Sequence, residues 1–309
     1  VVAHCRTRVR LRYDAAMAGS APLENRLHDW IASHRRVFAL TGADTNKDRE
    51  KLQGEYSIRF SAHSDAITLN GKLFARIKAL YDSRDALGLD AQSVRLIERY
   101  HTSFVRSGAN LSEADKATLK QMNGELAAMG TKFSQNVLAE VNASALVVDD
   151  VKQLDGLTEQ QIAGAAGVAK SRGMEGKYVL TLLNTTGQPP ESQLTNRALR
   201  QRLHEASIVR GSRGGEFDNR ELISKIMTIR ANRAKLLGYA NHAAYGLEDQ
   251  TARTPEAVHA MLGQLAPAAV ANAKREAADL QAIINKEGGN FELAPWEWAD
   301  YTEKGRAGK

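Results

Sequence analysis

The sequence predicts a mainly α protein: a multi-helical body carrying a small β insertion. Three observations predict it. Apolar residues recur at three- and four-residue steps from Val37 onward, the period of a helix face. Only six prolines occur in 309 residues, which leaves room for long uninterrupted helices. Aromatic residues make up 6% of a chain rich in Ala and Leu, while the hydrophobic (43%) and charged (25%) fractions are those of ordinary globular proteins. A chain of this length can build one large or two modest domains around a sizeable core.

Residues 1–36 fit this pattern poorly. Arg6, Arg8, Arg10 and Arg12 alternate with Thr7, Val9 and Leu11, a strand-like period with a basic face. We therefore treat 1–36 as a poorly matched lead-in, followed by helical region 37–144, a β/α insertion at 145–190, and a second helical region at 191–309. In the first helical region Leu73, Ile77, Leu80, Tyr81 and Leu87 form one stripe that stops at Gly88, and Val94, Ile97, Tyr100, His101, Phe104 and Val105 form the next, starting after Asp90. Ser112 and Asp115 open a third helix whose stripe runs Leu119, Met122, Leu126, Met129, Phe133 and Val137. The insertion holds two short runs of β-formers, Ala145–Val151 and Lys177–Leu183. Between them lies a helix opened by the capping pair Thr158 and Gln161. Asn184 to Pro190 is the longest turn-like run in the chain. Helices then follow at about 195–209 and 219–237, and a long one starts at Thr254-Pro255, with Pro267 as an expected kink and Lys286 as its expected end.

The search for chemistry is largely negative. The net charge of +6 is concentrated in residues 195–235, where ten Lys/Arg face four acids. A basic stripe is the usual footprint of nucleic-acid binding, but no aromatic residues interleave with these cations as a stacking platform requires. A solvated basic helix face is the plainer reading, and neither nucleic acid nor a membrane is expected as a partner. Cys5 is the single cysteine, which excludes an intrachain disulfide framework and suits a cytoplasmic location; a periplasmic protein whose export signal had been lost is the alternative. His204-Glu205 begins a helical zinc motif, but Ile208 stands where the second histidine is needed. That leaves a surface His–Glu pair. No G-x-S-x-G elbow, phosphate-binding glycine loop or pair of histidines one helical turn apart occurs, so no catalytic or metal residue is assigned from spacing.

Several segments carry a resemblance in order and spacing: Phe38 to Asn46, Phe133-Ser134-Gln135-Asn136, Leu183 to Pro189, Ala198-Leu199-Arg200, Asn232 to Gly238, Leu247 to Pro255, and Pro295-Trp296-Glu297-Trp298. Together they resemble the thimet oligopeptidase family of zinc metallopeptidases, peptidase family M3, and within it the bacterial peptidyl-dipeptidases. The resemblance spans Val37 to about Lys304. It implies a largely helical, neurolysin-like fold with a substrate channel, oligopeptide substrates losing C-terminal dipeptides, and a monomeric full-length protein. It also implies a zinc ion held by an H-E-x-x-H helix and a downstream glutamate. Those ligands belong to the family's second half, which this sequence does not contain. We therefore expect a partial metallopeptidase, inactive on its own, that supplies substrate-channel helices and no metal site. A non-catalytic remnant that binds peptides or a partner is the alternative. Asn184, Thr185, Thr186 and Gln188 are the candidate substrate-binding residues, because turns at strand ends offer amides and backbone groups to an extended peptide. A surface turn whose Asn and Gln satisfy its own backbone is the competing account.

Overall fold

The computed structural model describes residues 38–39, 41, 45–183, 185 and 187–307. The alternating Arg6–Arg12 stretch, Cys5, Asn184 and Thr186 lie outside them. Among the described residues there are ten α-helices and two strands: α1 Lys47–Thr68, α2 Gly71–Ser83, α3 Ala91–Arg106, α4 Glu113–Ala143, β1 Leu146–Val148, α5 Glu159–Ser171, β2 Tyr178–Leu180, α6 Arg197–Ile208, α7 Arg220–Leu236, α8 His242–Leu247, α9 Pro255–Lys286 and α10 Trp298–Ala307. The chain forms two compact units that interleave along the sequence. The first holds the described residues up to Gln135 together with Leu222–Gly246; the second holds the described residues of 136–221 and those from Leu247 to Ala307.

In the first unit the helix boundaries follow capping chemistry. Asn46, Asn70 and Asp90 each accept a hydrogen bond from a backbone amide three residues on, which starts α1, α2 and α3. Ser112 accepts from the Asp115 amide at 3.1 Å and starts α4. The core between α2 and α3 is built on Phe74, Phe104 and Ala109, with Ile67, Ile77 and Val105 packed against it. Phe74 and Phe104 stack at 6.3 Å, His101 stacks on Phe74 at 5.8 Å and on Tyr81 at 3.9 Å, and the Arg84 guanidinium caps Tyr81 at 4.2 Å. This corrects the expected stripe on α2. Leu73, Leu80 and Leu87 are exposed, and Phe74, one position over, takes the core. A ring that can stack on α3 offers more contact than the leucine beside it. The half-buried polar groups are paired: Asn123 donates to Asp65 at 2.7 Å, and Gln135 donates to the Glu50 carbonyl at 2.8 Å and to Gln53 at 3.2 Å.

Two histidines of this unit set a pH dependence. Burial, followed by the nearby Lys78 charge, holds His101 below its ordinary value of 6.5, and burial with Arg230 and Arg233 does the same to His242. The unfolded chain therefore binds these protons more readily than the folded one. Their contribution to stability is complete above about 6.5 and is lost as pH falls below it. Amide protection in α3 should fall between pH 7.5 and 5.5, and the fall should flatten in the His101→Gln/His242→Gln double variant. An unchanged slope in that variant would exclude these two histidines.

The second unit contains the β insertion. β1 and β2 pair antiparallel, with Leu146 opposite Leu180 and Val148 opposite Tyr178, and α5 connects them. Thr158 and Gln161 bond reciprocally at the start of α5, the capping box read from the sequence. The sheet and α5 close over α6 with a core of Val148, Leu154, Leu157, Ala165, Leu180, Leu194, Leu199 and Leu203. Thr254 caps α9, which runs unbroken through Pro267 to Lys286. Its last turns pack against α10 through Leu280, Ile284 and Tyr301, with Trp298 and Phe291 beside them. Its first half exposes Met261, Leu262, Leu265 and Val270. No helix among the described residues is long and apolar enough to cross a membrane.

Candidate functional site

The loop that follows β2 is shaped by one side chain. Gln188 is 3% exposed. Its Oε1 accepts from the Leu183 amide at 2.8 Å, while Nε2 donates to the Leu183 carbonyl (3.1 Å), the Thr185 carbonyl (3.2 Å) and Ser207 Oγ on α6 (3.0 Å). Every donor and acceptor of this amide is used inside the protein, so it fixes the loop and leaves the surface to its neighbours. Thr185 is exposed, and Arg210 also donates to the Leu183 carbonyl. Of the four candidate residues, the structure thus places Thr185 at the surface and Gln188 beneath it.

Replacing Gln188 with leucine should cost about 1–3 kcal/mol, because it takes the partner from the Leu183 amide and from the buried Ser207 hydroxyl in one step. Urea unfolding measures the loss, and the Leu183 amide should lose protection first.

The basic stretch is solvated at Arg202, Lys225 and Lys235, as expected, but other cations in it are engaged with acids. Arg200 is 3% exposed and donates to Glu297 at 2.5 Å and to the Leu194 carbonyl at 2.6 Å. Arg197 reaches the same carboxylate at 2.5 Å and lies 4.0 Å over the Phe291 ring. Glu297 itself is completely buried. Asp300 lies 3.3 Å from Arg200 and 3.4 Å from Lys304, and burial raises its carboxyl above the ordinary range against the pull of both cations. Further along, Arg213 pairs with Glu140 at 2.9 Å and donates to the Ala206 carbonyl, and Glu140 also accepts from the Gly211 amide. Arg220 grips Asp218, whose carboxyl it holds well below the usual range. These cations are clasps that tie α6 and the 209–219 turn to the rest of the unit. A guanidinium carries enough donors to satisfy several acceptors at once, and so can be buried where lysine could not.

His204-Glu205 is also corrected. Neighbouring positions on a helix point about 100° apart, and the two side chains go separate ways. Glu205 accepts from Gln201, whereas His204 turns inward, with Nδ1 3.7 Å from Glu191 and its ring 6.4 Å from that of Trp296. Glu191 is 6% exposed, and burial raises its carboxyl above the ordinary range while His204 pulls it down. Glu191 stood out by no motif; an acid after two prolines reads as a surface turn.

An open groove of about 780 Å³ lies between the later turns of α9 and the segment leading into α10. Ala277, Ala278 and Trp298 give it apolar walls, and Glu292 is its exposed charge. Gln281 plays the same part here as Gln188 does in its loop, donating to the Phe291 carbonyl at 3.0 Å and accepting from the Leu293 amide at 2.7 Å. The sequence shows the aromatic pair Trp296 and Trp298 but not the two alanines one helix away that make Trp298 part of a groove wall.

A catalytic zinc needs three protein donors around a shared point. Among the described residues no group of three His, Cys, Asp or Glu side chains offers one.

Residues 192–309 match the sequence profile described as peptidase family M3. That stretch is similar to M3-family sequence. Dipeptidyl carboxypeptidase of Escherichia coli (strain K12) is 42% identical over 272 residues, covering 88% of this chain and 40% of the relative. The Salmonella typhimurium dipeptidyl carboxypeptidase is 39% identical over the same length and shares. Oligopeptidase A of Haemophilus influenzae is 30% identical over 257 residues, covering 82% of this chain and 37% of the relative. The chain described here therefore spans about 40% of the length of these dipeptidyl carboxypeptidases. The motif segments that carry the resemblance turn out to be clasps as well: Gln135, Asn136, Gln188, Arg200 and Glu297 all hold one element to another.

Proposed function

We propose that this chain forms a peptide-binding wall of an M3 metallopeptidase of the peptidyl-dipeptidase type, with zinc and the general base supplied by sequence other than this. The observation that carries the reading is the 42% identity over 272 residues to a dipeptidyl carboxypeptidase. In this reading the loop at 183–188 offers Thr185 and the loop backbone to an extended peptide, together with Asn184 and Thr186, and Gln188 holds that loop in shape. The groove beside Trp298 takes an apolar side chain of the substrate. Such contacts do no chemistry themselves; they fix the scissile bond relative to a metal-bound water, which is where positioning lowers the barrier. A cytoplasmic location belongs to the same proposal.

The test is complementation. The chain is mixed with a separately produced H-E-x-x-H-containing segment of the Escherichia coli relative, and dipeptide release from a short peptide with a free C-terminus is followed. Release that needs both pieces supports the proposal. Peptide binding by this chain, without turnover in the mixture, favours the non-catalytic peptide-binding alternative. No binding and no turnover overturns both.

A further inference from the structure

Two asparagines in the chain precede a glycine, Asn70 before Gly71 and Asn123 before Gly124, and both lie in the first unit. Such a pair has a chemistry of its own. A backbone nitrogen can attack the side-chain carbonyl carbon of the asparagine before it and close a five-membered ring. The attack needs a close approach, and glycine carries no Cβ to obstruct it. Asn70 is exposed and caps α2, whose first residue is Gly71. Gly71 is exposed as well, and a Cβ added to it would meet nothing within 4 Å. The amides of a first helical turn have no carbonyl of their own helix to bond, so α2 does not tie up the attacking nitrogen.

The cap itself favours the attack. The Leu73 amide donates to Asn70 Oδ1 at 3.0 Å. That oxygen gathers negative charge as the ring closes, and a donor already aimed at it stabilises the charge. The junction is held by the Phe74 amide on the Asn70 carbonyl at 2.9 Å and by the Asn70 amide on the Ile67 carbonyl at 3.2 Å. Bonds at a helix end open at little cost. Asn123 is placed differently. It lies inside α4, where the Gly124 nitrogen belongs to the helical ladder, and its own Nδ2 donates to Asp65 at 2.7 Å. Bringing that nitrogen onto Asn123 would require the middle of α4 to open.

We propose that Asn70–Gly71 is a self-modification site, deamidated by the chain's own backbone, while Asn123–Gly124 stays intact in the folded protein. The Gly71 nitrogen gives its proton to solvent and bonds to Asn70 Cγ. The Cγ–Nδ2 bond breaks, and the amide group takes up a proton and leaves as ammonia. One water then opens the succinimide ring. Opening at Cγ leaves an ordinary aspartate; opening at the backbone carbonyl leaves an isoaspartate, whose main chain runs through the former side chain. The two products part at the cap. Aspartate caps a helix as well as asparagine does, and its charge suits a helix N-terminus. Isoaspartate lengthens the main chain by one carbon, so α2 loses the start that sets Phe74 into the core it shares with Phe104.

The test is peptide mapping by mass spectrometry on the full chain, held in mildly alkaline buffer both folded and in urea. In the folded chain Asn70 should convert at least about a hundredfold faster than Asn123, because helix interiors open far more rarely than helix ends. In urea the two rates should converge, since the dipeptide is the same. Gly71→Ala, which the open space at that position admits, should slow conversion about tenfold through the added Cβ. The melting point of this variant confirms that it folds. Isoaspartate should appear among the products. Asn70 reacting no faster than Asn123 in the folded chain overturns the proposal, and so do rates that stay apart in urea, which would trace the difference to flanking sequence. An unchanged rate in Gly71→Ala, or aspartate as the sole product, also overturns it, because either means direct hydrolysis by water.

Discussion

Glu297→Gln should destabilise the second unit by about 3 kcal/mol, the low end of the range for breaking a buried ion pair. The substitution keeps the shape and removes the charge, leaving Arg200 at 3% exposure. Asp300, at 3.3 Å from Arg200, offsets part of the loss. Urea unfolding followed by the fluorescence of Trp296 and Trp298 reads the change. Replacing both partners, as Glu297→Leu with Arg200→Met, should recover most of the stability, because the cost lies in the unpaired charge more than in the lost attraction. A single-variant cost below about 1 kcal/mol, the value typical of exposed pairs, would mean that water reaches the pair.

Gly156→Ala should be at least as severe. Gly156 sits at φ +95°, a conformation that costs other residues about 1–2 kcal/mol. A Cβ there would also stand 1.9 Å from the Gln193 carbonyl oxygen, an overlap with backbone that no side-chain rotation relieves. The neighbouring hydrogen bond from the Thr195 amide to the Asp155 carbonyl, 2.9 Å long, would have to open. Adding that loss to the backbone penalty gives about 3–5 kcal/mol. In thermal unfolding the variant should melt well below the native chain. A native melting point would require the 155–156 turn and the 193–195 segment to separate freely.

What was legible in the sequence follows from the range of the forces involved. Caps act over three residues, so Asp90, Ser112, Thr158 and Thr254 mark helix starts that the structure places within a residue or two. The two β runs pair because hydrophobic stretches flanking a helix have one cheap way to bury themselves. The role of the basic stretch was not legible. Whether an arginine faces water or a buried acid depends on what lies about a hundred residues away, as with Arg200 and Glu297, and no local period carries that information. Phe74 was missed for a similar reason: the leucines around it fit a helical stripe, and only the rings of α3 decide which residue turns inward. The candidate loop was partly legible. Its turn chemistry was plain, but Gln188 read as a residue available to a ligand because its partner Ser207 lies two elements downstream.

The interleaving of the two units bears on the nascent chain. When α1 to α3 have left the ribosome, their unit still lacks Leu222–Gly246. Arg106 cannot yet bond the Tyr245 carbonyl, which it reaches at 2.7 Å in the finished fold, and Leu237 is not yet there to pack beside Gly108. All of the other unit's first stretch, Asn136–Glu221, must be synthesised in between, so the helices made first finish folding late. Closing a loop of that length slows assembly, and in the interval these early surfaces are the ones a chaperone would meet.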